Sequence, residues 1–241
     1  MDIKAFKMDG LGNDFVIIDQ RNQNYNLSKD QIIKICDRNF IGCDQLIFIQ
    51  KSDRKDAELE FYNSDGSVSG ACGNGTRCVA DLLSKENNNN KIILWTSSGT
   101  LKSKILGDNL VETEIGIPKT NWDEIPLNKD LNTENLNIKI VNKNNIEHIG
   151  GTAVNVGNPH IVFFVDNIED YDLKKIGPEV ENHEYFPEKC NVTLAKVVSK
   201  KLIRVKVWER GAGLTKACGT AACATAVAAN INGFTDKKTD I

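Results

Sequence analysis

The chain has 241 residues, 40% hydrophobic and 26% charged, enough for one large domain or two of moderate size, each with its own core. A formal net charge of -3 provides no basic face, so neither nucleic acid nor an anionic membrane surface is expected as a partner. No apolar run approaches the roughly 20 residues of a membrane span, and the opening MDIKAFKMDGLGND has no apolar segment of signal-peptide type.

In chain order, residues 15–18 and 46–49 are apolar runs of strand length. Residues 92–96 are β-branched or aromatic and are followed by Ser97, Ser98 and Gly99, which read as a turn. Residues 116–126 hold two prolines in a polar setting and suit a linker. Beyond them, 161–165 and 203–208 read as strands, the latter alternating cleanly. Two helices are expected, one opening at Ala71-Cys72-Gly73 and one at Ala217-Cys218-Gly219. The second is nearly all Ala, Thr, Cys and Val, and a helix apolar all round is expected to be buried on every side.

These elements repeat. Shifted by 146 positions, the step from Cys72 to Cys218, residues 61–78 lie over 207–224 without a gap. Tyr62 then meets Trp208, Asn63 meets Glu209, and one Ala-Cys-Gly meets the other; Phe40 meets Phe186 and Gln45 meets Asn191 at the same step. With a slip of one position, GNDFVIID lies over GNPHIVFFVD. The reading is an α+β protein of two pseudo-symmetric lobes, 1–117 and 118–241. Each is a curved, mostly antiparallel, barrel-like sheet wrapped around a central helix.

Seven cysteines, an odd count at long spacings, argue against a disulfide framework. With no CxxC pair, and with His148, His160 and His183 isolated, no metal site is expected. Cys36, Cys43, Cys78, Cys190 and Cys223 read as small buried thiols. Cys72 and Cys218 are different, because a helix start has unpartnered N–H groups and the positive end of the macrodipole. A thiol there is expected to have a lowered pKa, and the N–H groups suit a carboxylate. Two lobes with such starts suggest a carbon held between two thiols, one removing a proton and the other delivering one to the opposite face. The competing outcome is a disulfide between the two, used as a redox switch.

Around these starts, Asn13, Gln45, Asn63, Asn158 and Asn191 are amides near strand ends or turns. Singly they read as turn or capping residues, and together, at repeat positions, as convergent hydrogen-bonding groups. Arg210 suits a carboxylate clamp and Glu209 an ammonium partner. GLGNDF is not GxGxxG, and neither a pyridoxal phosphate lysine motif nor a Walker loop is present, so no cofactor is expected.

GLGNDF, FYNSDGS followed by ACGNGTRC, GNPH, and WERGAGLTKACGTAACA together closely resemble the diaminopimelate epimerase family. The resemblance implies a pyridoxal-independent enzyme that interconverts LL- and meso-diaminopimelate in lysine and peptidoglycan precursor synthesis. It implies a pseudo-symmetric two-domain fold, a homodimer and a cytoplasmic setting. It makes Cys72 and Cys218 the catalytic pair, with His160 and Glu209 assisting near the reacting carbon. Asn13, Gln45, Asn63, Asn158, Asn191, Glu209 and Arg210 are implied to line the substrate site, and Gly73, Asn74, Gly219 and Thr220 to offer N–H groups to the carboxylate. For His160 the alternative is a strand-start histidine satisfied by backbone.

Two departures stand out. Thr220-Ala221 occupies a place where Ser-Gly is common, though the hydroxyl is kept. The chain also ends soon after the second helix, where the family continues with further strands; an unpaired sheet edge and an exposed helix flank are expected there. Rival readings are another cofactor-independent racemase or isomerase of this fold, such as a proline racemase relative with His where Asn74 stands, and a non-catalytic truncated relative.

Overall fold

A computed structural model describes residues 3–70, 72–97, 99–107 and 109–241. Ala71 of the first Ala-Cys-Gly and Ser98 of the expected turn lie outside them. The chain divides into two compact units, with Ile115 closing the first and Gly116 opening the second.

The first unit runs β1 (Ala5–Gly10), β2 (Asn13–Asp19), α1 (Lys29–Cys36), β3 (Gln45–Gln50), β4 (Ala57–Asn63), β5 (Val68–Ser69), α2 (Gly73–Asn87), β6 (Lys91–Thr96), β7 (Gly99–Gly107) and β8 (Leu110–Glu114). The strands form one curled sheet in the order β1-β2-β3-β4-β6-β7-β8, with β5 on β4. β2 and β3 are parallel, Phe15 opposite Gln45, and α1 makes the crossover between them.

Both central strands are apolar at every inner position because both faces are covered. Phe15, Ile17, Ile47, Ile49 and Phe61 pack with Val79, Ala80 and Leu83 of α2, while Val16, Ile18, Leu46 and Phe48 pack with Ile32 and Cys36 of α1. Cys43 joins that second layer, its Sγ 3.4 Å from Cys36. α2 packs on β1, β2, β6, β7 and β8, so the sheet curls around it.

The second unit holds β9 (Ile138–Val141), β10 (Glu147–Gly150), β11 (Thr152–Asn155), β12 (Pro159–Phe164), a 3₁₀ turn (Ile168–Asp170), α3 (Leu173–Glu181), β13 (Asn191–Ser199), β14 (Leu202–Glu209), β15 (Gly213–Thr215) and α4 (Gly219–Ile231). β9 and β10 form a hairpin, and the other strands form a sheet in the order β11-β12-β13-β14-β15. β12 and β13 are parallel, His160 opposite Asn191, with α3 in the crossover.

The two units thus share one ladder plan. Phe61 pairs with Ser69 and Tyr62 with Val68; at the same step of 146, Val207 pairs with Thr215 and Trp208 with Leu214. This is the mixed α+β architecture of curled half-barrel sheets that the repeat implied.

Three expectations change. Residues 116–126 are no loose linker: Ile125 is fully buried in the second core, Trp122 packs against it, and Lys119 bridges to Asn155. Two helices beyond the expected pair are present, α1 and α3. Ser28 caps α1 in a reciprocal box with Gln31, and Asp172 caps α3. Finally, α4 is not buried on every side. Ala221, Ala224, Thr225, Ala228 and Ala229 are buried, while Thr220, Ala222, Cys223, Ala226 and Val227 are half-exposed. Small size thus marks α4 as closely packed along one stripe only, and Cys223 is half-buried where the other four packing cysteines are buried. The second sheet ends at β11 and β15, and Asp240 forms an isolated parallel bridge to Leu202. Among the described residues no helix is long and apolar enough to cross a membrane.

Leu83 is fully buried between α2 and the sheet, whereas Leu110 is 59% exposed. Leu83→Ala is expected to cost about 2–5 kcal/mol in a urea titration, against about 0.5 kcal/mol or less for Leu110→Ala.

Candidate active site

In the first unit the parallel β2–β3 pair brings Asn13 and Gln45 to one end of the sheet, where α2 begins. Cys72 is the N-cap of α2 with extended backbone (φ -142, ψ 112), and no side chain caps the helix start. Its Sγ lies 3.7 Å from Asn13 Oδ1, and Asn74 Nδ2 donates to the same oxygen at 3.4 Å. Asn13 Nδ2 in turn donates to Asp44 Oδ2 at 2.8 Å, which fixes which way the amide faces. On the neighbouring strands Gln45 Nε2 donates to Asn63 Oδ1 at 2.9 Å, and Asn63 Nδ2 to Ser67 Oγ at 3.0 Å. Asn74 is buried and its Oδ1 accepts from the Arg77 guanidinium. Cys72, Asn13 and Asn74 therefore form one cluster, and Gln45 and Asn63 a second linked pair at the strand ends.

The second unit repeats this with different chemistry. Cys218 is the N-cap of α4 (φ -133, ψ 110), again without a side-chain cap. Thr220 Oγ1 lies 3.4 Å from its Sγ. Asn191 is buried; its Nδ2 donates to the Pro159 carbonyl at 3.0 Å, and its Oδ1 accepts from the backbone N–H of Arg210 at 2.9 Å. Arg210 Nη1 donates to the Glu188 carbonyl at 2.8 Å. His160 takes the ladder position that Phe15 holds in the first unit and is fully buried. Its Nε2 lies 2.8 Å from Asn158 Oδ1, and its Nδ1 has no hydrogen-bond partner among the described residues.

The electrostatics correct one expectation. The Cys218 thiol is pushed up to about 12, first by burial and then by the Glu209 carboxylate; the Thr220 hydroxyl and the Ala221 N–H pull the other way. A helix start stabilises a negative charge by about 0.3–1 kcal/mol, less than one pKa unit. Burial shifts such groups by up to ~3–5 units, and burial wins here. His160 is pushed down to about 3 by burial and by the Arg210 guanidinium, so it stays neutral at physiological pH.

Asp44 and Arg77 hydrogen-bond to Asn13 and Asn74, two contacts that the sequence reading leaves unassigned. Asp44 directly precedes Gln45, and Arg77 follows Asn74 by one helical turn, so both spacings were present in the sequence. Gly73 and Gly219 open their helices as expected, with backbone N–H groups that no side chain caps.

The diaminopimelate epimerase family model matches residues 5–120 and 152–241. Diaminopimelate epimerase of Pelagibacter ubique (strain HTCC1062) is 75% identical over 241 residues, covering 100% of this chain and 88% of the relative. The enzyme of the same name from Acidiphilium cryptum (strain JF-5) is 41% identical over 236 residues, covering 98% of this chain and 83% of the relative. Among solved structures, a predicted epimerase from Pseudomonas aeruginosa has a TM-score of 0.63 at 15% identity, covering 97% of this chain and 83% of that one. A hydroxyproline epimerase from Agrobacterium vitis has a TM-score of 0.60 at 12% identity, covering 96% and 78%. At these identities the two structures speak for the fold alone.

Because Glu209 holds the Cys218 thiol up, Glu209→Gln is expected to lower that pKa. Alkylation of Cys218 by iodoacetamide at fixed mildly alkaline pH then speeds up several-fold, read by fragment-ion mass spectrometry of the peptide that also carries Cys223. An unchanged rate would show that the carboxylate does not act on the thiol.

Proposed function

Since the chain belongs to the diaminopimelate epimerase family, we propose a two-thiol proton exchange as the means by which it inverts its substrate. The protein is an amino-acid isomerase that interconverts LL- and meso-diaminopimelate. On this reading Cys72 and Cys218 address opposite faces of one α-carbon, one accepting its proton and the other supplying the replacement. What carries the reading is the duplication of a cysteine N-cap: each unit starts its central helix at a cysteine with no side-chain cap and the same ladder register around it.

The α-proton is much less acidic than a thiol, so charge building on the substrate carboxylate must be stabilised. The uncapped N–H groups at Gly73, Asn74, Gly219 and Thr220 supply that stabilisation, with the two helix dipoles behind them. The raised pKa of Cys218 keeps it protonated at rest, ready to donate its proton. Glu209 holds that proton on Cys218 and pairs with a substrate ammonium.

Arg210 clamps the distal carboxylate, and its fork suits a long substrate charged at both ends. Asn13, Gln45, Asn63, Asn158 and Asn191 orient the rest. His160, buried and neutral, serves by holding Asn158 rather than by carrying charge. Family membership also supports a homodimer and a cytoplasmic setting, and the pathway of lysine and peptidoglycan precursors. A relative with a proline-type substrate would have no use for Arg210, and the match along residues 5–120 and 152–241 speaks against that reading.

LL-diaminopimelate incubated with the chain in deuterated water is expected to gain deuterium at one α-carbon and to equilibrate with the meso form. Cys72→Ala and Cys218→Ala should each lower epimerisation by at least about 10³-fold. Full turnover by either variant would sink the two-thiol reading.

A further inference from the structure

Glu181 carries a carboxylate that the proposed proton exchange does not use. It sits on the last turn of α3 at 6% exposure, a setting in which a carboxylate must find donors for its oxygens. It finds two. Oε2 accepts from Trp208 Nε1 at 2.7 Å, and Oε1 accepts from the backbone N–H of Gly211 at 3.1 Å. These donors bracket Glu209 and Arg210 from either side.

The neighbourhood is shaped for this contact. Gly177 lies one helical turn before Glu181 on the same face of α3. A Cβ at Gly177 would stand 2.4 Å from Cγ and Cδ2 of Trp208, so the indole lies where α3 has no side chain. The loop itself is a tight turn, closed by Ala212 N–H on the Glu209 carbonyl at 3.1 Å, with Gly211 at φ 74. Asn191 ties the Arg210 N–H at 2.9 Å. The turn is therefore held at three points, 208, 210 and 211, and one buried carboxylate supplies two of them.

We propose that Glu181 is a positioning residue for epimerisation: by gripping Trp208 and Gly211 it fixes the turn that presents Glu209 and Arg210. It touches no reacting atom and acts through the two residues it brackets. The proposal rests on the reading above, in which Arg210 binds the distal carboxylate and Glu209 stands beside Cys218.

The test is steady-state kinetics with LL-diaminopimelate on Glu181→Gln, Trp208→Phe and Arg210→Ala, with thermal melting of each. The amide introduced by Glu181→Gln accepts through one atom only and turns an NH2 toward the other donor, so the turn loses one anchor. Loss of folded enzyme lowers the apparent kcat and leaves KM unchanged, so KM separates a positioning role from a structural one. Glu181→Gln is expected to raise KM about tenfold. Trp208→Phe, which removes the indole donor together with part of the ring packed over Gly177, should raise it several-fold. The double variant should be less than additive, because both substitutions act on the one direct contact between residues 181 and 208.

An unchanged KM in Glu181→Gln, with Arg210→Ala raising KM strongly, overturns this proposal alone. Should Glu181→Gln fail to fold, an unchanged KM in Trp208→Phe has the same force. An unchanged KM in Arg210→Ala overturns the assignment of Arg210 itself.

Discussion

The second unit is organised around one buried amide. Asn191 opens β13 at 2% exposure, donates to the Pro159 carbonyl at the head of β12, and accepts from the Arg210 N–H just past the end of β14. Three chain segments meet there, and each carries residues proposed for the site: Asn158 and His160, Asn191, and Glu209 with Arg210. An amide has donors and an acceptor at fixed angles, so it ties two different backbone groups at once. Left unpaired at this depth, either end would cost about 1–3 kcal/mol. The first unit solves the same problem more loosely, Gln45 reaching Asn63 from strand to strand at a half-buried depth.

Much of this was legible in the sequence because the informative residues are backbone-driven. Strands 15–18 and 46–49 show as continuous apolar runs since both faces of β2 and β3 are covered, and the two cysteine N-caps show because Cys-Gly heads a helix twice at one spacing. The helices α1 and α3 were harder to see. They lie on the outer face, are short, and declare themselves through caps at Ser28 and Asp172 rather than through a long apolar stripe. The segment 116–126 misleads because prolines and polar residues surround Trp122 and Ile125, which join the same core as residues of β9 and α3.

The protonation of Cys218 was not legible for a different reason. Sequence shows which residue heads a helix, and hence the sign of the dipole acting on it. It does not show how deeply the sulfur is sunk or that Glu209 faces it. Those two effects are larger than the dipole and opposite in sign, so a rule about helix starts gives the wrong direction here. The same holds for His160, which reads as a titratable group by type and is held neutral by its depth and by Arg210.

The matched ladders of the two units carry a consequence for how this chain diverged within itself. Hydrogen-bonded partners around the two cysteines keep matching places along both sheets, while the side chains hung on them have drifted from Phe15 to His160, from Gln45 to Asn191 and from Asn63 to Glu209. The scaffold behaved as a fixed loom and only the threads were exchanged. The second unit thus carries Glu209 and Arg210 where the first carries Asn63 and Ser64, with the strand pairings beneath both left in place.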